Sequence, residues 1–185
     1  FCTPGFVMSL AALVENNESA TIETVQQGIS GNLCRCTGYR PIVKAGMNAL
    51  SQTYEPRWQD ASVLEGIKPH AQSSVLQPDD ELSLQKFMAQ YPNAPLIAGG
   101  TDLMLEVTQR YKCYEHFIDV SRVIELCAIS ESEEAYRIGA SVSYTELEDS
   151  FATLSEQLVL MLHRLGSRQI RNPGTIGGNL ANGSP

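Results

Sequence analysis

The stretch Gly31–Pro41, GNLCRCTGYRP, constrains this chain more than any other. Cys34 and Cys36 are separated only by Arg35, and a third cysteine, Cys2, stands ahead of Thr3-Pro4-Gly5. Residues two apart on a helix lie far round the cylinder, so a thiol pair serving one centre needs an irregular turn. Asn32, Thr37, Gly38 and Pro41 supply that turn chemistry on both sides. The flanking segments read as helices. Thr3 offers a hydroxyl cap and Pro4 a first helical position, with Val7, Leu10, Ala11 and Val14 recurring at helical spacing. Thr21 caps a second helix with Glu23 in its first turn and Ile22, Val25 and Ile29 inside. Pro41 opens a third, whose Ile42, Ala45, Gly46 and Ala49 share a face small enough for close helix approach. Residues 1–56 are therefore expected to form an all-helical bundle with the cysteines at its connecting ends.

Thiolates bind metals, and zinc sites and iron–sulfur clusters both take four protein ligands, commonly all cysteine. Cys2, Cys34 and Cys36 make three, and a fourth is expected upstream of Phe1. The same cysteines also read as small packing hydrophobes, and spacing alone does not separate zinc from iron–sulfur. Five cysteines in 185 residues is an odd number, which fits a reducing cytosol better than a disulfide framework. A formal net charge of -8 argues against a nucleic-acid partner. No apolar run reaches the length of a membrane span, and no charged-then-apolar signal segment is read in the sequence. With Phe1 at one end and Pro185 closing a loop-like run, the chain is expected to be a fragment, cut at both ends.

Residues 57–74 have no clean period and read as a linker, which Trp58 is expected to pin to one of the domains. Lone histidines there and beyond, His70, His116 and His163, lack partners at ligand spacing and read as solvated loop residues. Over 75–185, strands are expected at Val75–Leu76, Leu96–Ala98, Phe117–Val120 and Tyr136–Ala140. Helices are expected at Ser83–Tyr91, after Asp102 as far as Tyr111, at Thr145–Glu148 and at Leu154–Leu165, giving an α/β or α+β domain. Two glycine-rich stretches stand out. Leu96 to Leu103, LIAGGTDL, puts Gly99-Gly100-Thr101 where a strand hands over to a helix, the physics of an anion cradle, although it lacks the Gly-x-Gly-x-x-Gly fingerprint. The final stretch, GSRQIRNPGTIGGNLANGSP, is rich in glycine, hydroxyl and amide groups. It reads either as the lining of a polar ligand or as a long surface loop. Cys113 and Cys127 lie outside both motifs and read as packing cysteines.

Cys2-Thr3-Pro4-Gly5-Phe6-Val7-Met8, taken with Gly31 through Ile42, resembles the helical 2Fe–2S domain of the molybdenum hydroxylase family, the xanthine dehydrogenases and their relatives. LIAGGTDL together with the final stretch resembles the FAD-binding domain of the same family. The resemblance implies two domains: an all-α 2Fe–2S-binding bundle over 1–56 and, past the linker, the leading part of an α+β FAD-binding domain over 75–185. It implies Cys2, Cys34 and Cys36 as three of four cluster ligands. It implies flavin contacts at Leu96, Ile97, Ala98, Gly99, Gly100, Thr101, Asp102 and Leu103, at Thr175, Ile176, Gly177, Gly178 and Asn179, and, through a looser motif, at Leu165. Cluster domain, linker and flavin domain in one chain resemble the small subunit of the bacterial xanthine dehydrogenases. The family's activity is then expected: oxidation at a molybdopterin centre on a partner subunit or another chain region, with electrons passing through 2Fe–2S clusters to FAD and on to NAD. A cytoplasmic hetero-oligomer is implied, with no catalytic residue for the purine chemistry in this chain. Arg35, between two thiolates, is expected to raise the cluster potential. The rival reading is a colourless zinc- and nucleotide-binding module, and a third is a sister hydroxylase acting on an aldehyde or another heterocycle.

Overall fold

A computed structural model describes residues 2–53 and 73–184, which fall into two compact units. Trp58, His70 and all but the last two positions of the expected linker lie outside the described residues.

The first unit holds three helices, α1 (Thr3–Glu15), α2 (Ile22–Gly28) and α3 (Arg40–Leu50). Thr3 does not cap α1. It is itself helical, and Cys2 takes the cap position without a side-chain cap bond, because Pro4 brings a pre-set φ and no amide in need of an acceptor. Thr21 does cap α2, accepting from the Thr24 amide at 3.0 Å. The inward stripe of α1 is Phe6, Leu10 and Leu13 rather than Val7 and Val14, and Val7 and Ile22 are exposed. The cause is glycine placement. A Cβ on Gly28 would come within 2.6 Å of Leu13, and one on Gly46 within 2.7 Å of Val25 and 2.8 Å of Leu10. The helices close on these two bare positions, and that turns Leu10, Leu13 and Val25 inward. Full burial of a side chain the size of Val25 is worth roughly 1.5–2 kcal/mol.

The second unit opens with β1 (Ser74–Leu76), α4 (Glu81–Gln90), β2 (Leu96–Ile97), α5 (Leu103–Thr108) and β3 (His116–Asp119). The three strands are parallel in the order β1-β3-β2. Parallel neighbours require crossovers, and α4 and α5 lie in the two connections. This leading part is α/β in style, one of the two arrangements expected. The central strand β3 buries Phe117 and Ile118, and Ile118 forms a core with Leu84, Val120 and Val123, flanked by Ala98 and Leu126. α4 starts two residues earlier than its apolar spacing implies, because Asp80 and Ser83 close a capping box. Tyr111 ends outside α5, at φ 55 and exposed.

Next come α6 (Ile124–Cys127) and an antiparallel hairpin, β4 (Ile129–Glu131) with β5 (Tyr136–Ile138). α6 and β4 are too short for a periodic signal and were not expected. Helices α7 (Tyr144–Phe151), α8 (Glu156–Leu162), α9 (Arg168–Arg171) and α10 (Ile176–Ala181) complete the unit. They build a second core from Val142, Tyr144, Leu147, Phe151 and Leu162, with Leu165 and Ile176 packed against it. The final stretch is thus not a long loop. It folds into the short helices α9 and α10, and Arg171 and Thr175 within it are buried.

Candidate functional site

In the first unit the cysteine turn is held by a closed set of hydrogen bonds. Gly38 and Tyr39 both take positive φ, +64 and +68. For tyrosine this conformation costs about 1 kcal/mol, and it folds the ring back so that the Cys34 amide donates to the Tyr39 hydroxyl at 2.9 Å. The Tyr39 amide donates to the Thr37 hydroxyl at 3.2 Å, and that hydroxyl lies 3.1 Å from the Cys34 sulfur. Cys34 is buried against Phe6 and Ile29, whereas Cys2 and Cys36 are exposed. The Thr37 hydrogen bond, then the amides of Cys36 and Thr37, hold the Cys34 thiol below its usual range against the opposing effect of burial, and Cys2 adds a further hydrogen bond. The fold therefore brings Cys2 and Cys34 together. Cys36 stays on the same turn without closing on them, and no group of three metal-ligand side chains converges among the described residues. The donor set still fits an iron–sulfur centre. It is all sulfur and its buried member is tuned toward thiolate, the form in which cysteine would hold such a cluster.

In the second unit both glycine stretches line one cleft. Its walls are Leu96 through Leu103, Leu165, Thr175, Gly178 and Asn179, together with Tyr144, Ile170, Gly174, Asn182 and Ser184. Ile176 and Gly177 lie behind it. Ile176 packs on the helical core, and the Gly177 amide donates to the Ala140 carbonyl at 2.9 Å. The cleft sits where the two cores of the unit meet, with Ala98 flanking one and Leu165 the other. It also lies at the carboxyl end of β2, where open parallel sheets present their ligand crevices.

The two stretches touch through bare backbone. A Cβ on Gly99 would lie 1.5 Å from the Pro173 carbonyl oxygen, so only glycine allows the contact. Gly100 then takes φ +69 and turns the chain into α5. Among the described residues, the amides of Gly100, Thr101 and Asp102 meet no acceptor. These are the donors a diphosphate group would take. The second stretch is different. Thr175 pairs with Ser143 and caps α10, its hydroxyl accepting from the Gly178 amide at 3.1 Å, and the Asn179 amide donates to the Thr175 carbonyl at 3.0 Å.

Sequence reading missed Tyr144. It is buried in the second core yet lines the cleft, and its hydroxyl shares a hydrogen bond with the Asn179 side chain. Burial pushes its phenol up against the pull of that bond. The available signal was Ser143 followed three residues later by Glu146, a capping box that fixes where α7 begins. Two histidines are not solvated loop residues. His163 Nε2 lies 2.7 Å from Glu148, whose other oxygen is 3.5 Å from the buried Arg171 guanidinium. His116 lies in β3, meets the Tyr91 ring at 4.5 Å between centroids with the planes tilted by 55°, and bonds to the Ser74 hydroxyl. Cys113 and Cys127 are exposed rather than packed. The Cys127 thiol, turned toward the Ser121 carbonyl at 3.2 Å, is partly desolvated although the residue as a whole is exposed, and that, then Glu146 and Asp119, pushes it up.

The sequence matches the family described as FAD binding domain in molybdopterin dehydrogenase over residues 70–185, more than half of the chain. The chain belongs to that family. Residues 1–47 match a second family, the [2Fe-2S] binding domain. FAD and a 2Fe–2S cluster are accordingly the cofactors of this chain. Along its whole length it is 31% identical to a xanthine dehydrogenase from Drosophila subobscura and 27% identical to aldehyde oxidase 3 from Rattus norvegicus, and in each case it spans 18% of the relative's length. Among solved structures it resembles a chain of the carbon monoxide dehydrogenase from Hydrogenophaga pseudoflava, with TM-score 0.55 and 28% identity over 61% of this chain and 40% of that one. It likewise resembles a chain of quinoline 2-oxidoreductase from Pseudomonas putida 86, with TM-score 0.54 and 29% identity over 60% of this chain and 39% of that one. No helix among the described residues is long and apolar enough to cross a membrane.

Proposed function

We propose that this chain is the electron-transfer portion of a molybdenum hydroxylase of the xanthine dehydrogenase type. The single observation that carries the proposal is the cleft at which Gly99 meets Pro173, where three amides without an acceptor among the described residues stand beside Thr175, Gly178 and Asn179. Leu96 through Leu103 form one wall of an FAD cradle, Thr175, Gly178 and Asn179 with Leu165 form the other, backed by Ile176 and Gly177, and Tyr144 fixes the Asn179 side chain. Cys2, Cys34 and Cys36 hold a 2Fe–2S cluster together with one further ligand. When bound, the cluster carries single electrons and the flavin converts them to a two-electron transfer. The chain's own residues bind and orient these groups. A molybdopterin-bearing subunit or chain region supplies the electrons by oxidising a purine, NAD takes them from the flavin, and the whole is a cytoplasmic hetero-oligomer.

The test is a visible spectrum with iron, sulfide and flavin analysis of the full-length protein, followed by assay with xanthine and NAD. A brown-red protein that releases FAD and reduces NAD with xanthine is expected. A colourless protein holding zinc would overturn the cluster reading in favour of a non-enzymatic module. The relation to aldehyde oxidase 3 favours a second reading, a sister hydroxylase acting on aldehydes or other heterocycles. In that case the same cofactors would be found with turnover of an aldehyde and none of xanthine.

A further inference from the structure

Within the cysteine turn, every hydrogen-bond direction but one is fixed by chemistry. The Cys34 amide has only a proton to give, and the Tyr39 hydroxyl receives it. The Tyr39 amide likewise donates, and the Thr37 hydroxyl oxygen receives it. The Thr37 hydroxyl therefore has its own hydrogen left to place. The Cys34 sulfur lies 3.1 Å away and, once metal-bound, is a thiolate with no proton to offer. Thr37 is the donor of that pair. The order Tyr39 amide to Thr37 hydroxyl to Cys34 sulfur is a short polarised relay, in which each bond strengthens the next.

We propose that Thr37 sets the reduction potential of the centre held by Cys34, through a hydroxyl hydrogen bond to that sulfur. The proposal deepens the cluster reading and rests on it. Adding an electron to a 2Fe–2S cluster increases the negative charge on its sulfurs, and a donor aimed at one of them stabilises the reduced state and raises the potential. Thr37 is a positioning and tuning residue here, not a ligand. Arg35 is the natural comparison, because it carries a full charge between two thiols. Its side chain belongs to an exposed residue, so its field is screened by salt, whereas the Thr37 bond is a contact with a buried cysteine.

The experiment uses the full-length protein loaded with its cofactors. Thr37→Val, Thr37→Ser, Arg35→Gln and Cys34→Ser are compared by iron and sulfide content and by a redox titration followed by electron paramagnetic resonance. Cys34→Ser identifies which signal belongs to this centre. The expected result is that Thr37→Val retains iron and moves the midpoint of that signal to more negative potential at every ionic strength. Thr37→Ser, which keeps the hydroxyl, stays at the wild-type midpoint. Arg35→Gln moves less, and its shift fades at high salt. An iron-loaded Thr37→Val with the wild-type midpoint overturns the proposal. So does an equal shift in Thr37→Ser, which would assign the effect to the lost methyl group. A Thr37→Val protein that loses iron while Thr37→Ser keeps it overturns tuning in favour of a purely structural role. Wild-type protein without iron would instead overturn the cluster reading itself.

Discussion

The two glycine stretches of the second unit line the same cleft and contribute opposite things to it. Around Gly100 the backbone leaves amides that meet no acceptor among the described residues. Around Gly177 and Gly178 nearly every amide is already used, on Ala140, on Val142 and on the Thr175 hydroxyl. The first stretch therefore offers donors, and the second offers a braced wall whose side chains, Thr175 and Asn179, face a fixed place. Beyond the joint at Gly99, Gly100 serves the turn and anion capture in the first stretch, and Gly177 serves close backbone packing in the second. A Cβ on Gly177 would come within 2.6 Å of Ala140. Composition alone treats the two stretches as equals, and the fold does not.

The sharpest way to break this pairing is at its joint. Gly99→Ala puts a methyl where Pro173 stands, and neither backbone can yield without opening the cleft. We expect a loss of about 3 kcal/mol, the upper end for overpacking, and protein that elutes from gel filtration without FAD. Gly178→Ala is the control. Its Cβ would meet only the Thr175 hydroxyl, at 2.9 Å, and a side chain moves more cheaply than a carbonyl. If Gly178→Ala releases FAD as fully as Gly99→Ala, the joint between the stretches is not what holds the cleft.

A smaller effect is expected from the support behind the second stretch. Glu148 on α7 faces His163 at the end of α8 and Arg171 at the end of α9, so one carboxylate ties three helices together. Glu148→Ala should destabilise the protein by about 2–3 kcal/mol, because a buried guanidinium loses its counter-charge. Changing Glu148 to Gln together with Arg171 to Met should recover part of that loss, and a double-mutant cycle by chemical denaturation measures the coupling. Simple additivity would show that the pair does not brace the wall.

These contrasts also explain what was legible beforehand. The cysteine turn and both glycine stretches were readable because their chemistry is local: a thiol, a proline or a bare Cα announces itself wherever it stands. The cleft lining at Tyr144 was not, because an aromatic residue in a helix is ordinarily core, and only the meeting of two cores exposes one edge of it to a ligand. The roles of His163 and Arg171 were hidden for the same reason, since their partner Glu148 lies 15 residues from His163 in sequence. The inward stripe of α1 slipped from Val7 to Phe6 because two glycines on other helices, Gly28 and Gly46, decided where those helices could touch. Short elements such as α6 and β4 carry no period to read.

Thr175 tests the braced wall more gently. Its buried hydroxyl accepts from the Gly178 amide, and Thr175→Ala should cost about 1 kcal/mol, as loss of a helix cap does. Thr175→Ser should keep the cap. FAD affinity should fall several-fold in the alanine variant without being abolished, because the amides of the first stretch are untouched. Isothermal titration of the reconstituted full-length protein measures this, and complete loss of binding would mean that the second stretch carries the donors after all.

The smallest effect belongs to the anchor behind the first stretch. Glu106 on α5 receives Lys112 at 2.7 Å, Arg110 at 3.2 Å and the Tyr114 hydroxyl. The Lys112 hydrogen bond, then that of Tyr114, holds the Glu106 carboxyl below its ordinary value of 4.5, and the same pair lifts Lys112 above 10.5. A depressed carboxylate contributes stability that is fully present above its unfolded value and is lost as pH falls through the lower folded value. A raised ammonium contributes stability that is present below its unfolded value and is lost as pH rises through the higher folded one. Melting temperature against pH should therefore hold a plateau between these limits and fall on both sides. Both cations are largely exposed, so the contribution is small and fades in salt. Glu106→Gln should flatten the part of each limb that this anchor supplies while leaving FAD binding near neutral pH unchanged, because Glu106 does not line the cleft. A loss of FAD in that variant would show that the open amides of the first stretch depend on the anchor, and that this stretch is braced as firmly as the second.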